Sequence, residues 1–67
     1  MNEKQKEWTN RHCNELKIYL EQFSVLTDRQ NEAVSGYIDV IVSLSKGNAE
    51  VRDALFDVFE EYQKKRR

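Results

Sequence analysis

A chain of 67 residues forms at most one domain, and a domain of this size buries only about 60% of the surface that its unfolded chain exposes. The formal net charge of −1, from 11 basic and 12 acidic residues, gives no overall field that would attract nucleic acid or an anionic membrane. The one cysteine excludes a disulfide within the chain, and with the one histidine it supplies too few soft ligands for a structural zinc site.

The composition predicts a folded protein of the cell interior. Apolar residues make up 39% of the chain and charged residues 34%, which is more apolar than a disordered charged segment. No apolar run approaches the roughly 20 residues that span a bilayer, and the N-terminal MNEKQKEW lacks the apolar part of a signal peptide. An unpaired cysteine without an export signal fits a reducing compartment, so we expect a cytoplasmic protein.

The first predicted helix runs from about residue 3 to residue 23. Apolar and aromatic side chains recur along it at intervals of three and four residues, which is the pattern of an α-helix with one buried face. We expect that packing face to consist of Trp8, His12, Leu16, Tyr19, Leu20 and Phe23.

The stretch YIDVIVSLS, residues 37–45, is the most apolar part of the chain and fits two structures. Its alternate residues would line one side of a β-strand: Ile38, Val40, Val42 and Leu44. The flanking residues favour a helix over 28–46 instead, because Thr27 and Gln30 match a capping box and Gly47 suits a left-handed helix end. A strand would need a pairing partner that only a second chain could supply, so a strand in an intermolecular sheet is the alternative.

As a helix, this segment carries two apolar stripes that together span about 200° of its circumference, where a surface helix typically has one stripe somewhat wider than 100°. One stripe consists of Val34, Ile38, Ile41 and Ser45, and the other of Ala33, Tyr37, Val40 and Leu44. A central helix that packs against both neighbours would explain two stripes. A stripe that faces another copy of the chain or another protein would explain them as well, and the two explanations are compatible. Gly36 lies on the remaining face, either as a tolerated exposed glycine or as a point where another backbone approaches.

A third helix is predicted over residues 49–65, with Asn48 as its N-cap. Its apolar face consists of Val51, Leu55, Val58, Phe59 and Tyr62. The connections between the helices are short, so helices that follow each other in the chain should run antiparallel. The predicted fold is a small all-α three-helix bundle in one domain, residues 1–67, with a short basic tail at 64–67. A homodimer that shares helices between its subunits is the alternative form.

No motif in the chain predicts catalysis, a metal, a cofactor or a small-molecule substrate. His12 and Cys13 are adjacent, and adjacent helical side chains point about 100° apart, which prevents a hydrogen-bonded nucleophile–base pair. Gly36 and Gly47 are the only glycines, so there is no phosphate-binding glycine loop. Carboxylates line the outer side of the third helix as a solvated stripe or as a docking surface for a basic partner: Glu50, Asp53, Asp57, Glu60 and Glu61.

The C-terminal sequence KKRR is the only cluster of positive charge, and it consists of Lys64, Lys65, Arg66 and Arg67. A nucleic-acid-binding regulator would use this cluster for phosphate contacts and Arg52 for a base edge. Acidic residues one or two turns upstream interrupt a basic track, so nucleic-acid binding is an alternative and not the main expectation.

The sequence therefore predicts a non-catalytic protein that binds another protein, itself or both through apolar helix surface. Small proteins of this kind are frequent on phages and other mobile elements, where they block a host factor, so we expect a small regulator or inhibitor. A structural oligomerisation module is a second alternative. The expected interface combines one stripe of the second helix with two apolar residues that lie off the packing faces of their own helices. Its members are Ala33, Tyr37, Val40, Leu44, Ile18 and Phe56.

Overall fold

The computed structural model describes residues 2–65 and contains three α-helices, which confirms the predicted all-α bundle. Helix α1 spans Glu3–Glu21, α2 spans Asp28–Leu44 and α3 spans Ala49–Lys65. No strand occurs within residues 2–65, so the apolar stretch that begins at Tyr37 belongs to α2. The helical interpretation of YIDVIVSLS is therefore correct.

Each helix begins at a polar side chain that accepts hydrogen bonds from the first turn. The Thr27 hydroxyl accepts from the Gln30 backbone N–H at 3.1 Å, and the Gln30 side chain accepts from the Thr27 N–H at 2.8 Å, which is the predicted capping box. Asn48 caps α3 as predicted by accepting from two backbone N–H groups of its first turn. Asn2 does the same for α1, where its side chain accepts from the Gln5 N–H at 2.8 Å.

Helix α2 ends at Leu44 and not at the predicted residue 46. The backbone turns left-handed at Lys46, with φ 61°, and stays so at Gly47, with φ 74°. The Lys46 N–H donates to the Ser43 carbonyl at 3.0 Å and the Gly47 N–H to the Val42 carbonyl at 2.8 Å. These two bonds form a Schellman motif, which satisfies carbonyls that the helix itself leaves open. Gly47 is left-handed as predicted, but Lys46 shares the role, and the regular helix stops earlier for that reason.

Helix α1 also ends earlier than predicted, at Glu21 and not at residue 23. The N–H groups of Gln22 and Phe23 donate to carbonyls only three residues back, Tyr19 at 3.3 Å and Leu20 at 3.2 Å. Bonds over three residues tighten the last turn and take these residues out of the α-helical ladder.

The core combines one face from each helix, and eight hydrophobic side chains within residues 2–65 are buried: Leu16, Leu20, Val34, Ile38, Ile41, Val51, Leu55 and Tyr62. This confirms the predicted face of α3 and the three apolar members of the first predicted stripe of α2, whose fourth member, Ser45, lies half-buried just beyond the helix end. Val58 and Phe59 are half-buried against the same core. The Tyr62 hydroxyl donates to the Phe23 carbonyl at 2.8 Å, which ties the C-terminal ends of α3 and α1 together.

The predicted packing face of α1 is wrong in part. Leu16 and Leu20 are buried, but Thr9 is buried in the first half of the helix, while Trp8 and His12 are half-buried at its edge. Tyr19 remains 36% exposed. The buried side of α1 is therefore rotated by about 45° from the predicted one, which is about half of the rotation between successive residues.

Helix α3 makes close backbone contacts with both other helices, and those between α1 and α2 are few. The expectation that the second helix is the central one is therefore wrong, because α3 holds that place. His12 of α1 lies opposite Tyr37 of α2, and Tyr19 lies near Ala33, so α1 and α2 run antiparallel as predicted. The bundle is elongated, with principal extents of 34 × 18 × 15 Å.

Candidate protein-interaction surface

The stripe of α2 that was predicted to meet a partner lies at the surface. Val40 is 57% exposed and Leu44 is 67% exposed. Ala33 is exposed as well, and Tyr37 is half-buried between α2 and α1. These four residues follow one flank of α2, beside the core residues Val34, Ile38 and Ile41. The contact of Tyr37 with His12 shows that this flank is turned toward α1.

Helix α1 contributes a matching flank. At about 100° per residue, five residues of α1 fall within an arc of about 80°, and five residues of α2 at the same spacing fall within an equal arc. We call this surface the α1–α2 face; it consists of Lys4, Trp8, Arg11, Glu15 and Tyr19 of α1 with Arg29, Ala33, Gly36, Val40 and Leu44 of α2. All ten are exposed except Trp8, which is half-buried.

A polar cluster joins the two helices beneath this face. The Nδ1 atom of His12 lies 3.0 Å from the hydroxyl of Tyr37 and 3.6 Å from a carboxylate oxygen of Glu15. The indole of Trp8 meets the His12 ring edge-on, with 4.6 Å between ring centroids. Burial raises the pKa of Tyr37 above its ordinary value, and the nearby negative charge of Glu15 raises it further, so the phenol stays protonated and available for these bonds.

Next to this cluster, a cavity of about 280 Å³ opens on the surface between α1 and α2. The buried Leu16 and Val34 form its floor. Its walls consist of Glu15, Tyr19, Ala33 and Tyr37. The small side chain of Ala33 and the sparse contacts between α1 and α2 leave this space open. A cavity of this size has room for one large side chain.

The other two predicted interface residues are not members of this face. Ile18 is 61% exposed on the outer side of α1, opposite the buried Thr9 and about 20° around the helix from Arg11 at the edge of the face. Phe56 is 39% exposed on α3, on the flank away from the residues of α3 that face α1. The six predicted residues therefore do not form one surface: four lie together on α2 and two lie elsewhere.

Sequence reasoning missed the contribution of α1 to this surface. The apolar periodicity places Trp8 and Tyr19 on the packing face, and it gives no place on an interface to Lys4, Arg11 or Glu15. The available signal was the spacing itself, because Lys4, Trp8, Arg11, Glu15 and Tyr19 repeat at intervals of four, three, four and four residues. That pattern is mixed in polarity, so a search for apolar periodicity alone does not detect it.

The predicted acidic stripe is exposed along α3 as expected for a solvated face. Two of its members, Asp57 and Glu61, line a groove of about 650 Å³ between α1 and α3, together with Lys17, Glu21 and Lys65. Charges of both signs meet in this groove. Cys13 lies nearby, half-buried, and its burial raises the pKa of the thiol above the ordinary value, as does the charge of Asp57.

The predicted nucleic-acid residues are not brought together within the described part of the chain. Arg52 is exposed near the start of α3, where its Nε lies 3.7 Å from an Asp53 oxygen. Lys64 and Lys65 are exposed at the other end of the same helix, about 18 Å further along its axis. Arg66 and Arg67 lie outside the described residues.

Among residues 2–65, no group of three or more His, Cys, Asp or Glu side chains is arranged to hold a metal ion. Over the same residues, no helix combines the length and the apolar content needed to cross a membrane. No protein-family model, curated protein sequence or solved structure matches this chain.

Proposed function

We propose that the protein is a non-catalytic binding module, a small regulator or inhibitor, that docks a partner protein on the α1–α2 face. The observation that supports this proposal is the exposure of Val40 and Leu44, 57% and 67%, while eight hydrophobic side chains within residues 2–65 are buried. Full burial of each such side chain is worth about 1.5–3 kcal/mol, so a partner that covers both would gain several kcal/mol.

The form of the surface also supports a protein partner. Apolar side chains from two helices lie beside an open cavity, and polar side chains surround them. A hydrophobic centre within a polar rim is the usual anatomy of a protein interface, and aromatic residues such as Trp8 and Tyr19 are enriched there. Nucleic-acid binding has weaker support, because Arg52 lies beside Asp53 and far from the basic end of α3.

Affinity capture from the source cells, followed by mass spectrometry, tests the proposal. We expect the wild-type chain to retain a partner that Val40→Asp loses and Phe56→Asp keeps, because Phe56 lies off the α1–α2 face. Val40 is 57% exposed and Phe56 39% exposed, and circular dichroism selects the variants that keep the helical fold before capture. Retention of every partner by a folded Val40→Asp would contradict the proposal, and loss with Phe56→Asp alone would place the interface on α3 instead.

Self-association on this face is tested separately by light scattering over a concentration series. A mass that rises with concentration, and returns to that of the monomer with Val40→Asp, would mean that the partner is a second copy of the chain. A constant monomer mass would remove the predicted homodimer.

A further inference from the structure

We infer that the partner of the α1–α2 face is an amphipathic helix whose apolar stripe is flanked by acidic side chains. This inference rests on the proposed function and specifies the chemistry of the partner. It follows from three features of the face: its charge, its shape and its poor match to a second copy of itself.

The face carries a net positive charge, whereas the formal net charge of the whole chain is negative. Lys4, Arg11 and Arg29 are exposed, and no ion pair within residues 2–65 involves any of them. The one acidic member, Glu15, already lies beside His12 and Tyr37. The four charges sum to +2 on a chain of net charge −1, so the remaining surface carries −3. Three exposed positive charges beside the apolar residues of the face favour a partner with carboxylates at matching positions.

The shape of the face fits a helix. From Lys4 to Tyr19 it extends about 22 Å along α1, which is the length of a helix of roughly 15 residues. The cavity of about 280 Å³ lies at the Tyr19 end, and Val40 and Leu44 lie at the other end. Between them, Gly36 presents no side chain, and a Cβ added there would have no neighbour within 4 Å, so a partner backbone can approach closely. A helix placed along α1 and α2 would act as the fourth member of the bundle.

A second copy of the chain fits less well. Two α1–α2 faces placed against each other would oppose like charges. The outer side of α3 carries the required acid in Asp53, Asp57 and Glu60, but Phe56 is its one large exposed apolar side chain within the described residues. A helix with one apolar side chain cannot fill both the cavity and the strip at Val40 and Leu44. The preferred occupant is therefore a helix of another protein.

Titration with two designed helical peptides tests this inference. Both peptides carry the same leucine stripe and no tryptophan, and they differ only in flanking residues, Glu in one and Lys in the other. Trp8 is the only tryptophan of the chain and lies on the face, so its fluorescence reports docking directly. We expect a blue shift of Trp8 emission with the Glu peptide, at least about tenfold weaker binding of the Lys peptide, and weaker binding of the Glu peptide at high salt.

Charge reversal on the protein supplies matched variants. Arg11→Glu combined with Arg29→Glu should reverse the preference between the two peptides, and Arg52→Glu, which changes an exposed arginine outside the face, should leave it unchanged.

Equal affinity for both peptides, or no effect of the double reversal, would overturn the acidic partner. If Val40→Asp still abolishes binding in that case, the proposed docking face survives and only the charge argument fails. If neither peptide binds, the inference also fails, and the capture experiment decides the proposed function independently. Saturation of the face by a second copy, seen as a mass above that of the monomer in the absence of peptide, would overturn it too.

Discussion

Thr9 marks the buried side of α1, although it is less apolar than Trp8 beside it. The Thr9 hydroxyl donates to the Gln5 carbonyl at 2.7 Å. A threonine that bonds a backbone carbonyl one turn earlier can be buried without losing a hydrogen bond. With Thr9 inside, Leu16 and Leu20 follow at helical spacing and Trp8 is left at the edge of the core. A hydrophobicity pattern ranks Trp8 above Thr9, and the predicted face of α1 was rotated for this reason.

The pKa of Cys13 depends partly on a residue of a neighbouring helix, which the local sequence does not indicate. Its thiol is half-buried, and burial disfavours the charged thiolate. Asp57, 44 positions away in the chain, adds a negative charge near it. Both effects raise the pKa of Cys13 above its ordinary value, so less thiolate is present at neutral and mildly alkaline pH. Since the thiolate is the nucleophile, the raised pKa makes the residue less reactive.

We therefore predict that iodoacetamide alkylates Cys13 in the folded protein more slowly at pH 8 than it alkylates a free thiol. Asp57→Asn should speed the reaction, because removal of this negative charge takes away one of the two causes that raise the pKa of the thiol. Asp53→Asn removes a carboxylate from the same helix without affecting Cys13 and is the control. Equal rates for the two variants, measured by mass spectrometry, would show that Asp57 does not act on the thiol.

At the scale of the single helix, the starts were predictable and the ends were not. Capping depends on residues within one turn of each other, so Thr27, Gln30 and Asn48 could be identified from spacing alone. The last residue of a helix depends on the backbone conformation of the residues that follow it. At α2 the chain turns left-handed at Lys46 before it reaches Gly47, and no residue preference predicts a left-handed lysine.

The two glycines should respond in opposite directions to alanine. Gly36 lies inside α2 with open space around its Cα, so Gly36→Ala should raise the free energy of unfolding by about 0.5–1 kcal/mol. Gly47 has φ 74°, a left-handed conformation that costs a residue with a Cβ about 1–2 kcal/mol, so Gly47→Ala should lower it by about that amount. Urea denaturation of both variants measures the two changes. Changes of the same sign would contradict the assignment of these two conformations.

At the scale of the whole molecule, the sequence predicted which faces are apolar but not which helices they meet. The faces follow from spacing within one helix, as with Val51 and Leu55. The central place of α3 and the exposure of Val40 depend on distances between helices, which composition and period do not encode. The α1–α2 face was therefore only half predicted: the part on α2 followed from its second apolar stripe, and the part on α1 required the observed orientation of that helix.

The central place of α3 predicts where the bundle is most sensitive. Leu55 lies on α3 with 0% of its surface exposed, in contact with a core to which all three helices contribute. Leu55→Ala should cost about 2–5 kcal/mol, and a domain of this length has only about 3–10 kcal/mol in total. We expect a largely unfolded protein or one with a greatly lowered urea midpoint. Ile18→Ala also truncates a large aliphatic side chain, but on a 61% exposed residue, and should change stability by no more than about 0.5 kcal/mol. Equal effects of the two substitutions would mean that Ile18 is covered in solution, which would place a second interface on the outer side of α1.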